Sequence, residues 1–152
     1  QLIALSSIVF AIILFFADRV KMDIKSWNKI TYIEALVVGL FQVLAFIPGA
    51  SRAGVTITGA RLLGYDRVNA TRFSMILSIP IILASMTLSL INIFNEEYVE
   101  VNMYQSFFAS LVAFITALLS IIFLMKFIKK ANFNIFIIYR IILGIILLVV
   151  YV

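Results

Sequence analysis

The feature that most limits how this chain can fold is a set of five apolar runs, one of them cut short by a proline. Residues 2–17, 73–94, 105–127 and 133–152 approach or reach the ~20 residues a helix needs to cross a bilayer core. Residues 32–47 fall short because the run stops at Pro48, and the next apolar piece, 56–63, is shorter still. The composition is 64% hydrophobic and 12% charged, whereas soluble domains are nearer half apolar and about a quarter charged. Such a chain cannot cover a soluble surface with polar groups. The sequence therefore predicts an all-α integral membrane protein. It forms one membrane domain over 1–152, with about four transmembrane helices at 1–17, 73–94, 105–127 and 133–152. Pro80 falls inside the second of these, as a tolerated kink. The chain opens on Gln1 within an apolar run, with no initiator methionine and no charged leader, so it reads as a piece of a longer protein.

Charge between the runs sets the expected topology. Residues 18–29 carry Arg19, Lys21, Lys25 and Lys29 against Asp18 and Asp23, and residues 126–134 carry Lys126, Lys129 and Lys130. Residues 92–103 carry only Glu96, Glu97 and Glu100. Basic loops face the cytoplasm, which puts the acidic loop outside and leaves 32–63 to cross twice or not at all. Two full crossings do not fit in runs of this length. A re-entrant helix pair over 32–63, turning at 48–56 part-way through the membrane, does fit. Irregular backbone at that depth is tolerated only where protein or a water-filled cavity surrounds it, so the turn is expected to line a cavity. The net charge of +5 comes mainly from residues flanking apolar runs and is no sign of nucleic-acid binding.

The turn reads Pro48-Gly49-Ala50-Ser51-Arg52-Ala53-Gly54-Val55-Thr56. An arginine in mid-membrane costs roughly 2.5–3.5 kcal/mol on insertion scales, so an anion is expected beside Arg52. Gly49 and Gly54 permit positive φ and close approach of a ligand to the backbone. Ser51 suits the N-cap of a helix starting at Arg52, and the free N–H groups of such a start attract a phosphate. Arg52 and Thr56, four apart, share a helix face. The planar guanidinium of Arg52 matches a phosphate through two parallel hydrogen bonds. The candidate anion site is therefore Gly49, Ser51, Arg52, Gly54 and Thr56.

Other polar residues read more plainly. Thr31 and Glu34 have the spacing of a capping box at a helix start. Gln42 lies in mid-helix, where it either bonds to a neighbouring helix or lines the cavity. Arg61 and Arg67 read as a basic cytoplasmic loop. Arg72 opens a span and is a second candidate for the cavity lining. Arg140 reads as snorkelling toward the cytoplasm. With no histidine and no cysteine, the chain holds no catalytic triad, phosphohistidine, imidazole-metal or thiolate-metal site. It has no acid pair placed for Mg²⁺ or Ca²⁺. Ser51 is a candidate nucleophile with no base near it in sequence. The chain alone can bind a phosphate but shows no means of cleaving one.

The stretch from Glu34 to Gln42, with Ile47-Pro48-Gly49-Ala50-Ser51-Arg52-Ala53-Gly54-Val55-Thr56, resembles the undecaprenyl-diphosphatase (bacitracin-resistance) family, whose signature is Pro-Gly-x-Ser-Arg-Ser-Gly-x-Thr. Ala70-Thr71-Arg72-Phe73-Ser74, Ile79-Pro80, and Tyr139-Arg140-Ile141 with Gly144 extend the likeness over most of the chain from about Tyr32 onward. The resemblance implies the second half of an inverted repeat, in the bacterial cytoplasmic membrane. It also implies an enzyme that removes the terminal phosphate of undecaprenyl diphosphate and so recycles the lipid carrier of cell-wall synthesis. On that likeness Ser51, Arg52 and Thr56 hold the diphosphate, Gly49 and Gly54 shape the turn, and Arg52 stabilises charge in the transition state. The nucleophile is Ser51 or a water. Ala53 departs from the signature, standing where the family has a second serine. The family's glutamate-rich motif and histidine belong to the first repeat, so the divalent cation it uses, Mg²⁺ or Ca²⁺, has no ligands to assign in this chain.

Two other functions compete. Re-entrant half-helices facing an anion also serve transporters, so a transporter or flippase of an anionic polyprenyl lipid is the alternative. A non-catalytic membrane scaffold is the third.

Overall fold

A computed structural model describes residues 1–20, 30–95 and 103–151. The stretches 18–29 and 92–103, on whose charges the inside–outside reading rests, lie largely outside the described residues, as does Val152. Among the described residues all regular structure is helical, with no strand. Six α-helices follow in order: α1 Leu2–Arg19, α2 Tyr32–Val43, α3 Arg52–Leu62, α4 Arg67–Asn95, α5 Met103–Ile128 and α6 Asn134–Tyr151. A 3₁₀ turn, Leu44–Phe46, tightens the end of α2.

Local chemistry explains the boundaries. Thr31 caps α2 through the Glu34 N–H, and the Glu34 carboxylate reaches back to the Thr31 N–H at 3.0 Å, completing the capping box. Asp66 receives the Asn69 N–H at 2.6 Å and so starts α4, six residues before the apolar run at 73. Pro80 lies within a continuous α4.

Helix α3 sits at the centre, packed against α1, α2 and α4, while α6 packs on α1. The buried residues of α1 include Ala4, Ser7, Ala11, Leu14 and Asp18, spaced three and four apart along one face. Close approach depends on small residues. A methyl group at Gly144 of α6 would stand 2.6 Å from the Ile8 side chain of α1, and one at Gly59 of α3 would stand 2.7 Å from the Phe41 ring of α2. Helices α2 and α3 run antiparallel as a hairpin. Glu34 meets Tyr65 at the open end, Phe41 covers Gly59 midway, and Leu44 shares a cleft with Val55 near the tip.

The most polar helix is the most enclosed. Every residue of α3 from Val55 to Arg61 is buried. Within it the Thr58 hydroxyl donates back to the Gly54 carbonyl at 2.7 Å. By contrast, the side chains of α4 from Ile79 to Ile93 and of α5 from Tyr104 to Phe123 are exposed. By length and composition α1, Arg67–Ile93 of α4 and Tyr104–Ile128 of α5 suffice to cross a membrane, whereas Tyr32–Phe46 and Asn134–Val150 are shorter apolar helices. Three of the four expected spans therefore meet that test; the one expected at 133–152 coincides with the shorter α6.

Two loop readings are corrected. Asp18 is a buried residue in the last turn of α1, and Arg61 and Arg67 are not free loop cations. Arg61, 1% exposed, donates from Nη2 to the Asp18 carbonyl at 2.6 Å and from Nη1 to the Tyr65 carbonyl at 2.9 Å. Its Nε lies 3.2 Å from the Asp18 carboxylate, which Arg67 also engages. One carboxylate thus ties α1 to both α3 and α4.

Candidate phosphate-holding turn

Ile47 to Ala50 form a type II turn. Pro48 occupies the first corner, Gly49 has φ 91° at the second, and the Ala50 N–H closes the turn on the Ile47 carbonyl at 3.0 Å. A methyl group at Gly49 would collide with Ser6 and the Ile3 carbonyl of α1 as well as demanding that φ. Ser51 follows at φ 66°, rare for a residue with a side chain, and such conformers cost of order 1–3 kcal/mol. Its hydroxyl accepts the Gly54 N–H at 3.3 Å, which makes it the N-cap of α3 as its position predicted.

The surrounding helices hold the turn by its carbonyls. Ser6 donates to the Pro48 carbonyl and Ser7 to the Gly49 carbonyl at 3.1 Å. Arg140 of α6 donates from Nη2 to the carbonyls of both Gly49, at 2.8 Å, and Ala50, at 2.9 Å. Arg140 is therefore a partner of the turn and does not snorkel. The sequence offered no signal for this beyond a charged residue within an apolar run.

Ser51 and Arg52, adjacent in sequence, open on different cavities. Arg52 and Gln42 line one of about 330 Å³, with Gly39, Val43, Phe46 and Ile81 among its walls. Beside it the Arg52 Nη1 and Gln42 Oε1 are buried and both lack a hydrogen-bond partner, an unspent donor and an unspent acceptor on two side chains that line the cavity. Ser51, Gly54 and Arg140 line a second cavity of about 150 Å³, floored by Leu14, Ile57 and Phe136. Thr56 lines neither. It is fully buried, donates to the Arg52 carbonyl at 2.9 Å and lies 2.7 Å from the Ser74 hydroxyl of α4. Arg72 is exposed on α4 and is not among the walls of the Gln42 cavity.

No group of three or more acidic, histidine or cysteine side chains occurs among the described residues. The larger cavity, with a guanidinium and one neutral amide oxygen as its polar groups, does not fit a divalent cation. Glu34 is spent on its capping box and on the Tyr65 hydroxyl, which donates to it at 2.8 Å. Burial and the Glu34 carboxylate together push Tyr65 up to about 12.

The chain as a whole has counterparts among known proteins. Residues 1–146 match the family described as bacitracin resistance protein BacA. The chain belongs to that family. Curated relatives carry the name undecaprenyl-diphosphatase. That of Pelagibacter ubique is 38% identical over 150 residues, 99% of this chain and 58% of the relative. That of Erythrobacter litoralis is 40% identical, covering 95% of this chain and 50% of the relative. That of Saccharophagus degradans is 42% identical, covering 95% and 54%. The chain thus spans little more than half the length of these BacA-family relatives.

Proposed function

We propose that this BacA-family chain is the phosphate-holding part of a membrane undecaprenyl-diphosphatase, which hydrolyses the lipid diphosphate to the monophosphate and inorganic phosphate. The observation that carries the reading is Arg52, whose side chain lines a cavity beside the strained N-terminus of α3 and whose buried Nη1 has no partner. A partly desolvated cation with an open donor binds an anion more strongly than a fully solvated one does. The names of the relatives supply its chemical identity, a polyprenyl diphosphate.

In this reading Arg52 holds the departing phosphate and offsets the charge that grows as the anhydride bond breaks. Ser51 caps the start of α3 through the Gly54 N–H and opens on the neighbouring cavity. Gly49 and Gly54 let the backbone bend and pack. Thr56 acts from beneath, through the Arg52 carbonyl. The acid–base groups, and any Mg²⁺ or Ca²⁺ ligands, belong to a first repeat outside this chain.

The α2–α3 hairpin is read as re-entrant. The 11 residues of α3 rise only about 16 Å. Past the level of the tip, α6 continues from Arg140 to Tyr151 by about another 16 Å, and α4 continues from Ile81 to Asn95 by about 21 Å. The tip therefore stands part-way along its neighbours. The exposed apolar flanks of α4 and α5 suit lipid and the missing repeat, in a bacterial cytoplasmic membrane.

The test is phosphate release from a polyprenyl diphosphate by the purified full-length enzyme with Mg²⁺ or Ca²⁺. Arg52→Ala should lower turnover by about 10²–10³-fold, the loss seen for a single oxyanion donor. Its melting temperature should stay near wild type, because the Arg52 guanidinium tip has an unspent donor. Wild-type turnover in Arg52→Ala would overturn the assignment.

A further inference from the structure

We infer that Arg140 of α6 is a positioning residue for the phosphate-holding turn, acting through the Gly49 and Ala50 carbonyls it grips; the inference rests on the function proposed above. Three consecutive carbonyls of the turn are pinned from outside. Ser6 takes that of Pro48, Ser7 and Arg140 share that of Gly49, and Arg140 alone takes that of Ala50. In a planar trans peptide the C=O of one residue and the N–H of the next point in opposite directions. Pulling the Pro48 and Ala50 carbonyls toward α1 and α6 therefore aims the Gly49 and Ser51 N–H groups the other way. The negative ends of these peptide dipoles are thus taken up by α1 and α6, and the positive ends point away from those helices.

Arg140 also holds the residue that most needs holding. The peptide it grips at Ala50 leads directly into Ser51, the one non-glycine residue with positive φ among the described residues. Strained backbone of this kind persists only where the surroundings over-determine it. Gly54 completes the arrangement. A methyl group there would stand 2.7 Å from the Arg140 Nη1, so the second glycine of the Pro-Gly-Ala-Ser-Arg-Ala-Gly stretch leaves room for the guanidinium. The two features of the sequence, a turn glycine and a charge 86 positions later, are one device.

The experiment is a double-mutant cycle in the full-length enzyme, with Arg140→Ala, Gly54→Ala and the double variant, and with Arg52→Ala as reference. Arg140→Ala should lower kcat roughly 10- to 100-fold, the range that a small misplacement of reacting groups produces, with KM nearly unchanged. Arg140→Lys, which keeps the charge but not the fork, should fall between it and wild type. Gly54→Ala should lower kcat on its own but add little once Arg140 is gone, because the side chain it displaces is absent. Should Arg140→Ala fail to fold in detergent, Gly54→Ala and Arg140→Lys still read the same kcat-against-KM split. A wild-type kcat in Arg140→Ala, a raised KM with kcat intact, or losses that multiply in the double variant would each overturn the inference. If Arg52→Ala is also fully active, the phosphate-site reading itself fails; if only Arg52→Ala is inactive, the positioning role alone fails.

Discussion

Arg67 grips Asp18 through two parallel hydrogen bonds, Nε to Oδ1 at 2.8 Å and Nη2 to Oδ2 at 3.0 Å. The same carboxylate lies 3.2 Å from the buried Arg61. Removing the charge of Asp18 leaves a buried arginine without its counter-ion, which costs about 3–5 kcal/mol. Asp18→Asn should therefore melt well below wild type in detergent. Arg67→Ala should cost less, because Arg67 is partly exposed, and should leave turnover per folded molecule close to wild type.

Gln42 and Arg52 line the same cavity, each with an unsatisfied atom. Gln42→Glu places a carboxylate where an anionic substrate is needed and offers Arg52 an internal partner. Its KM for a polyprenyl diphosphate should rise strongly. Gln42→Leu removes a buried orphan acceptor and should leave stability equal or improved. A KM for Gln42→Glu equal to that of wild type would show that the substrate does not use this cavity.

Thr56 and Ser74 join α3 to α4 by a buried contact of 2.7 Å between hydroxyls. Thr56→Val leaves Ser74 without that partner and should destabilise by about 1–3 kcal/mol. The double variant Thr56→Val with Ser74→Ala should lose less than the sum of the single losses, because both partners are then removed. Thermal melts of the four proteins decide it. Turnover should follow folding, since the Thr56 side chain lies beneath the turn.

Tyr65 ties the α3–α4 loop to the capping box of α2. Its pKa rises from the usual 10.0 to about 12, first through burial and then through the hydrogen bond and charge of Glu34. Between these values the folded chain holds a proton that the unfolded chain releases. The contribution to stability is thus fully present below pH 10 and declines as pH climbs toward 12. Melting temperature measured across that interval should fall more steeply for wild type than for Tyr65→Phe. Parallel curves would show that Tyr65 ionises as freely in the folded protein as in the unfolded one.

Much of this molecule depends on residues within four positions of one another, and that much could be read from the sequence. The capping box of Thr31 and Glu34, the N-cap at Ser51, the arrest of a helix at Pro48 and the apolar lengths of α1, α4 and α5 all follow from local backbone and side-chain chemistry. So did the concentration of glycine, hydroxyl and arginine groups at residues 48–56. What remained out of reach was how the helices lie against one another. Arg140 lies 91 positions from Gly49, and its role exists only because α6 crosses the hairpin at its tip. Asp18 looked like a loop charge until packing placed it between α1, α3 and α4. The apolar pattern marks what lipid can touch, so it could not show that the polar α3 is the buried centre. Ser51 and Arg52 form one motif in sequence, but the turn of the first helical residue sends their side chains into separate cavities. Tertiary packing alone decides which donors share a space, because that depends on neighbours the chain does not have nearby.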